Sequence, residues 1–555
     1  MTAEAGTASG SETPKRESTP NTLLASIPQK RVFEDVHSPA VPSPLNPDVN
    51  ASELPPLDDA NQSKASKPHR VKKESLKKRE AKGGGRDSSP AIPDHRSINE
   101  SDNVDSPLRY KLAPPKPSDF DLPRGPVMTF HHEIRGLDGQ GVEFFEASDH
   151  VFNKKNFRYT HCIADPLFPS TLYYRQTESE PFGPRMSYED AATSVFFDKT
   201  GRGVTTDKGF RMARANVAVR EGRWYWECKI TQGVREATEP GAKPEAGKHV
   251  RMGWARREAS SDAPVGFDAY SYGFRDVGGE KVYMSRPKEF FPPGEGIREG
   301  DVIGLEIQLP SENLQRKIMS RTYNPAIDAS DDEPSSTAEA ANIVRDRVPI
   351  RFKAHTYFEK IEYHSTKELE DLMNPSPVGP ISASAEAPNP LHTSAALRTL
   401  PNSHIKVYKN GQLVGTAFDN LLAFLPPASK PQPQVGAREG PDDGMLGYYP
   451  AVSVFRGGAA EVNFGPDFWY PPPDYEAYVA GNTDTAESQR RKLHGVCERY
   501  NEQIAEDIVY DIIDEVDFWM QDGGGATDKA GVQEKSEAVA AAPGREEIKE
   551  LVQDD

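Results

Sequence analysis

Gly222-Arg223-Trp224-Tyr225-Trp226-Glu227-Cys228-Lys229-Ile230 is the stretch that decides the fold. In an extended chain successive side chains point to opposite sides, so Trp224, Trp226, Cys228 and Ile230 share one face while Tyr225, Glu227 and Lys229 share the other. Such a density of aromatic residues directly after a glycine specifies a strand with one face in a core. Similar strands are expected at residues 250–255, 301–309, 405–409, 451–455 and 460–464. Asn410-Gly411 is a two-residue hairpin signal joining 405–409 to 413–417. Short strands separated by turn residues, with almost no helical period before residue 490, predict an all-β sandwich of two packed antiparallel sheets.

This sandwich fills only part of the 555 residues. Residues 1–120 are rich in Pro, Ser, Thr and charge, contain no Trp and show neither strand nor helix periodicity, which predicts disorder. Several Ser-Pro and Thr-Pro pairs there (Thr13, Thr19, Ser38, Ser43, Ser89 and Ser106) are possible phosphate acceptors. Residues 121–185 carry aromatic residues without a readable pattern, and their fold is left open. Three stretches interrupt the β pattern and read as surface insertions, near 325–345, 374–402 and 426–444. The sandwich itself is expected over 186–478 and a Gly-rich acidic tail over 521–555. Between them, over 500–520, Ile504, Ile508, Val509, Ile512, Ile513, Val516 and Met520 recur at spacings of three and four. Glu506, Asp507, Asp511, Asp514 and Asp517 occupy the opposite face, so an amphipathic helix is expected.

The net charge is −18, yet residues 64–86 hold ten Lys or Arg against two acids, Lys72, Lys73, Lys77, Lys78 and Arg79 among them. Such a run contacts phosphates without reading bases, and the same run serves as a nuclear import signal. Import signal, DNA tether and solvated linker all fit it. The chain holds three cysteines, Cys162, Cys228 and Cys497, too far apart for a zinc finger, an iron–sulfur cluster or a disulfide framework, and this reads as intracellular. No apolar run approaches the roughly 20 residues of a bilayer span, and the first residues lack a signal-peptide core, so a soluble protein without membrane association is expected. His131-His132-Glu133 lacks further ligands at a usable spacing, and the glycine runs 83–85 and 523–525 lack the context of a phosphate cradle. No cofactor, metal or catalytic constellation is expected, and the chain does not read as an enzyme.

GRWYWECKI, RMGWARR, PVGFDAYSYGFRD, GDVIGLEIQLP, VYKNGQLVGTAF, YYPAVSVF and VNFGPDFWYPP follow one another in the order seen in SPRY domains. With the helix AEDIVYDIIDEVD, the succession resembles the SPRY subunit of COMPASS-type histone H3 lysine-4 methyltransferase complexes, the Ash-two family of animals and Bre-two of fungi. Animal members also carry a zinc-binding module, which the three scattered cysteines cannot supply. The resemblance is therefore to the fungal form.

That resemblance implies a non-catalytic nuclear scaffold that supports a SET-domain methyltransferase. It implies a WD-repeat partner of the retinoblastoma-binding-protein-five or Swd-one type, whose acidic peptide enters a pocket matched here by Arg251, Pro264, Phe267 and Arg275. Phe267 stands where animal members have tyrosine. It also implies that the helix docks in the groove of a Dpy-thirty or Sdc-one type dimer through Ile508, Val509, Ile512 and Val516. The alternative from another class is an SPRY substrate adaptor of a ubiquitin ligase.

Overall fold

A computed structural model describes residues 114–521 except 138, 154–156, 167–172, 236–246, 329–330, 332–342, 362–363, 375–385, 427–428, 431–441 and 476–490, together with 548, 550 and 551. The basic segment at 64–86 and the Ser-Pro and Thr-Pro pairs lie outside the described residues.

Every expected strand is present, its ends moved by at most two residues: Gly222–Gln232, His249–Ala255, Val302–Leu309, His404–Lys409, Gln412–Asp419, Tyr449–Phe455 and Ala459–Asn463. They divide between two sheets. The wide sheet places Gly222–Gln232 between Ala459–Asn463 and Val302–Leu309, continues to His404–Lys409 and Gln412–Asp419 at one edge, and ends at the hairpin Val127–Arg135 and Gly141–Ser148 at the other. The facing sheet runs Arg286–Glu289, Glu280–Tyr283, Ser271–Arg275, His249–Ala255, Tyr449–Phe455, Arg211–Ala215 and Met186–Ala191. Asn410 and Gly411 take φ of 49° and 80°, the left-handed pair that a two-residue turn between twisted strands requires.

The core lies between these sheets. Trp224, Trp226, Cys228 and Ile230 pack with Ile303, Leu305 and Ile307 against Val250, Met252, Trp254 and Phe274. The rings of Trp226 and Trp254 meet edge to face, 6.2 Å apart at 90°, a favoured aromatic geometry. The sandwich expected from the alternation is therefore formed.

The reverse face of Gly222–Gln232 differs from the plain alternation. Tyr225 and Glu227 are fully buried, because the chain after Phe464 folds back over them. The Glu227 carboxylate accepts from the N–H groups of Trp469 (2.7 Å) and Tyr470 (2.8 Å). On the next strand the equally buried Glu306 accepts from Arg223 (2.8 Å) and the Tyr408 hydroxyl (2.7 Å). Leu493–Gly495 pairs in parallel with Arg223–Tyr225 on the same strand.

The described part of 121–185 holds four strands. Val127–Arg135 and Gly141–Ser148 extend the wide sheet, and Phe157–Ala164 and Tyr174–Gln176 join Val348–Phe352 and His355–Ile361 in a four-stranded sheet. Its own small core holds Val151, Tyr159, Ile350, Phe352 and Tyr357.

The near-absence of helical period before residue 490 and the reading of 374–402 as a surface insertion are both corrected. Helix α1 (Glu312–Ser320) and helix α2 (Lys367–Met373) precede residue 490. Each spans about two turns, too few for a readable period, although Ser311 and Thr366 cap them through Leu314 and Leu369 N–H. The described part of 374–402 is a brace, with Ala396, Leu397 and Leu400 buried and Arg398 donating to the Ile318 (3.1 Å) and Met319 (2.8 Å) carbonyls. A cation on the last carbonyls of α1 satisfies groups that a helix end leaves unpaired.

Glu227→Ala leaves the Trp469 and Tyr470 N–H groups without their acceptor in a buried site, at about 1–3 kcal/mol each. Calorimetric unfolding is expected to show a lower melting temperature, with Glu227→Gln, which keeps one carbonyl, falling between the variant and the parent.

Candidate functional site

The facing sheet carries the residues that the sequence spreads over 251–275. Arg251 lies directly across the ladder from Arg275 on one side and Ser453 on the other. The loop after Pro264 crosses the same outer face: Val265 N–H donates to the Ser453 hydroxyl at 3.1 Å, and a Cβ on Gly273 would stand 2.6 Å from the Val265 carbonyl. Gly266 holds the turn at φ +84°, its missing Cβ facing the Val282 carbonyl at 2.5 Å, a place open only to glycine. The loop leaves Pro264 buried and Phe267 43% exposed.

The two arginines are not equivalent. Arg275 is ion-paired with Glu280, across the ladder on the next strand, while Asp276 turns to the Val250 N–H (2.9 Å) and His249 (3.4 Å). Among the described residues Arg251 has no carboxylate partner. Its guanidinium lies over the Phe210 ring at 4.6 Å, and Phe210 leans on Phe455, giving the cation an aromatic floor. Burial, and after it the like charge of Arg275, lower the Arg251 pKa to about 10, so the group keeps its charge at neutral pH. A half-buried guanidinium with no ion pair, on an aromatic floor, suits a carboxylate or phosphate, whose two oxygens match its fork. Phe210 was missed because it precedes its strand in a Lys-Gly-Phe turn; the signal was a large aromatic residue in an otherwise polar turn.

The second region is the long helix α3 (Val496–Gln521), which begins directly on the strand Leu493–Gly495. Its first turns grip the sandwich. Arg499 Nε donates to the Ala218 carbonyl (3.0 Å), and the Gln503 amide takes the Ala218 N–H (2.9 Å) and gives to the Asn216 carbonyl (3.0 Å).

Farther along, the acidic face points inward. Asp511 and Asp514 are buried, held by Arg345 at 2.9 and 2.7 Å and by Arg347 at 2.8 and 3.3 Å. Gln176 adds its backbone N–H to Asp511 (2.9 Å) and its amide to Asp507 (2.8 Å). Burial pushes the Asp507 carboxyl up to about 7. The apolar stripe consequently faces away: Ile508, Val509, Ile512, Ile513, Val516, Trp519 and Met520 are each 44–61% exposed, and Ile504 is half-buried. Trp519 belongs to this stripe, at the i+3 position from Val516, and sequence reading passed over it.

No family model matches the chain. It is 64% identical over 551 residues to COMPASS component cclA of Colletotrichum higginsianum, covering 95% of this chain and 96% of that one. Set1 complex component ash2 of Schizosaccharomyces pombe is 38% identical over 76% of this chain and 54% of its own length. COMPASS component BRE2 of Saccharomyces cerevisiae is 27% identical over 74% of this chain and 96% of its own. Among solved structures, the SPRY domain of human HERC1 aligns with 50% of this chain and 96% of its own at 12% identity and a TM-score of 0.23, too low to bear on the assignment. The identity and coverage of the cclA relative do bear on it: the chain belongs to the family of COMPASS components that includes cclA, Ash2 and Bre2.

Proposed function

We propose that this chain is a non-catalytic scaffold of a COMPASS-type complex that methylates lysine 4 of histone H3, working in the nucleus to hold a SET-domain subunit active. The observation that carries the reading is the orientation of α3. A helix on the surface of a self-contained protein turns its apolar stripe to the core; α3 buries carboxylates and offers seven large apolar residues to solvent. A stripe of this kind fits helix-in-groove recognition, with Ile508, Val509, Ile512 and Val516 as anchors in a Dpy-thirty-type dimer. The Arg251 site fits the acidic peptide of a WD-repeat subunit, with Phe210 and Phe267 as apolar surround and Arg275, already paired to Glu280, as a secondary contributor. In this division of labour residues 186–478 are the SPRY scaffold, 500–520 the docking helix, and 64–86 a nuclear import signal that also contacts nucleosomal DNA. Affinity purification tests the whole reading: a SET protein with WD-repeat subunits is expected, and a cullin in their place would establish the ubiquitin-ligase adaptor.

Ile512→Asp places a charge where the groove is apolar, and an unpaired buried charge costs several kcal/mol, so binding to the dimer is expected to vanish in a pull-down while the sandwich keeps its melting temperature. Arg251→Ala is expected to weaken binding to the WD-repeat subunit by about 1.5–3 kcal/mol, the range for a charged hydrogen bond. Its melting temperature should hardly move, because Arg251 has no ion pair to lose; a large drop with unchanged affinity would make it a structural residue. Replacing Lys72, Lys73, Lys77, Lys78 and Arg79 by glutamine is expected to weaken nucleosome binding equally on all sequences and to flatten its salt dependence. Unaltered affinity at low salt with loss of the protein from the nucleus would leave import as the segment's role.

A further inference from the structure

Arg345 and Arg347 enter the chain at the end of the interruption that follows α1, immediately before strand Val348–Phe352. Their backbone is anchored on both sides. Val344 N–H donates to the Asp442 carbonyl at 2.8 Å, and Asp442 is clamped by Arg220, which also holds Glu312 at the start of α1. After Arg347 the chain runs into the four-stranded sheet, where the Arg347 guanidinium lies 4.0 Å from the centre of the Phe358 ring. The Arg345 guanidinium lies over Tyr510 of α3 itself, 5.5 Å from its ring centre. Two forked cations with fixed bases therefore face one side of a helix, and the side they select carries Asp511 and Asp514.

We infer that Arg345 and Arg347 are positioning residues for the partner dimer: by seating Asp511 and Asp514 they fix which face α3 turns outward and order the docking stripe before the partner arrives. This rests on the helix-in-groove reading above. Were α3 turned about its axis, apolar side chains would replace Asp507, Asp511 and Asp514 opposite Gln176, Arg345 and Arg347, and the hydrogen bonds and ion pairs made there would be lost. Asp511 and Asp514 would meanwhile leave the buried Arg345 and the half-buried Arg347 without the carboxylates that hold them, the costly half of a broken buried pair. The ion pairs thus act on orientation more than on stability. When the competent state is only a fraction of the population, the apparent affinity falls by that fraction, so a loosened helix docks more weakly with every anchor intact.

The test is calorimetric titration of the full-length chain with the purified Dpy-thirty-type dimer. Arg345→Gln with Arg347→Gln is expected to bind about tenfold more weakly, as if about a tenth of the molecules presented the stripe. Hydrogen exchange should quicken in residues 505–520 and stay unchanged in Gly222–Gln232. Exchanging the charges, Arg345→Asp and Arg347→Asp together with Asp511→Arg and Asp514→Arg, should restore affinity, which a general loss of folding would not permit. Should the arginine variant fold poorly, Asp514→Asn probes the same pair from the helix side. If Ile512→Asp abolishes binding while the arginine and Asp514 variants bind as the parent does, the positioning role is wrong and the docking reading stands. If Ile512→Asp binds normally, the docking reading falls and this inference with it.

Discussion

The strand Gly222–Gln232 is buried on both of its faces, and the rest of the molecule is arranged to make that possible. One face supplies Trp224, Trp226, Cys228 and Ile230 to the core between the sheets. The other presents Tyr225 and Glu227, and a carboxylate taken out of water must be given hydrogen-bond donors or lose its charge. The donors are the N–H groups of Trp469 and Tyr470, so the segment leaving the sandwich is drawn back across the sheet. That return leads through Leu493–Gly495, paired to the same strand, straight into α3. Burial of one acidic side chain thus links the fold to the place where its C-terminal helix begins.

A second pattern runs through the molecule: buried arginines join elements distant in sequence. Arg214 pairs with Asp190, Arg220 with Asp442 and Glu312, Arg257 with Asp443, and Arg345 and Arg347 with Asp511 and Asp514. Desolvation offsets much of the attraction in such pairs, so they add little to stability compared with apolar contacts of equal volume. They discriminate strongly between arrangements, since each wrong one strands a charge. Arg251 stands apart from them. It is half-buried with an aromatic floor and, among the described residues, no ion pair; Asp276 and Glu280 act on it only at a distance, so a ligand's carboxylate or phosphate has a place to bind.

The interruptions of the β pattern gain meaning from the same contacts. Arg398 closes the carbonyl end of α1, Asp442 and Asp443 receive arginines of the sandwich, and Arg345 and Arg347 seat α3. Their composition is that of loops, rich in Pro, Ser and Ala. What they contribute is a few charged side chains delivered to fixed points.

The sandwich was legible because strand burial leaves a local mark. Alternation with period two in 222–230, the Asn-Gly turn at 410–411 and the repeated short apolar runs are each visible within ten residues, and every strand inferred from them exists. The amphipathic helix was legible for the same reason, its period of three and four being a property of neighbours. The sequence also placed Arg251, Pro264, Phe267 and Arg275 by likeness to a family, and strand pairing sets Arg251, Arg275 and the Pro264 loop side by side. Tertiary structure alone decided which face of each element is inside. Nothing local to Tyr225 and Glu227 marks them as covered by the chain some 240 residues later, and nothing local to Asp511 and Asp514 marks them as the partners of Arg345 and Arg347. Periodicity reports that a segment has two unlike faces. It carries no sign, because the sign is set by the charge and shape of whatever lies opposite, and those groups come from elsewhere in the chain.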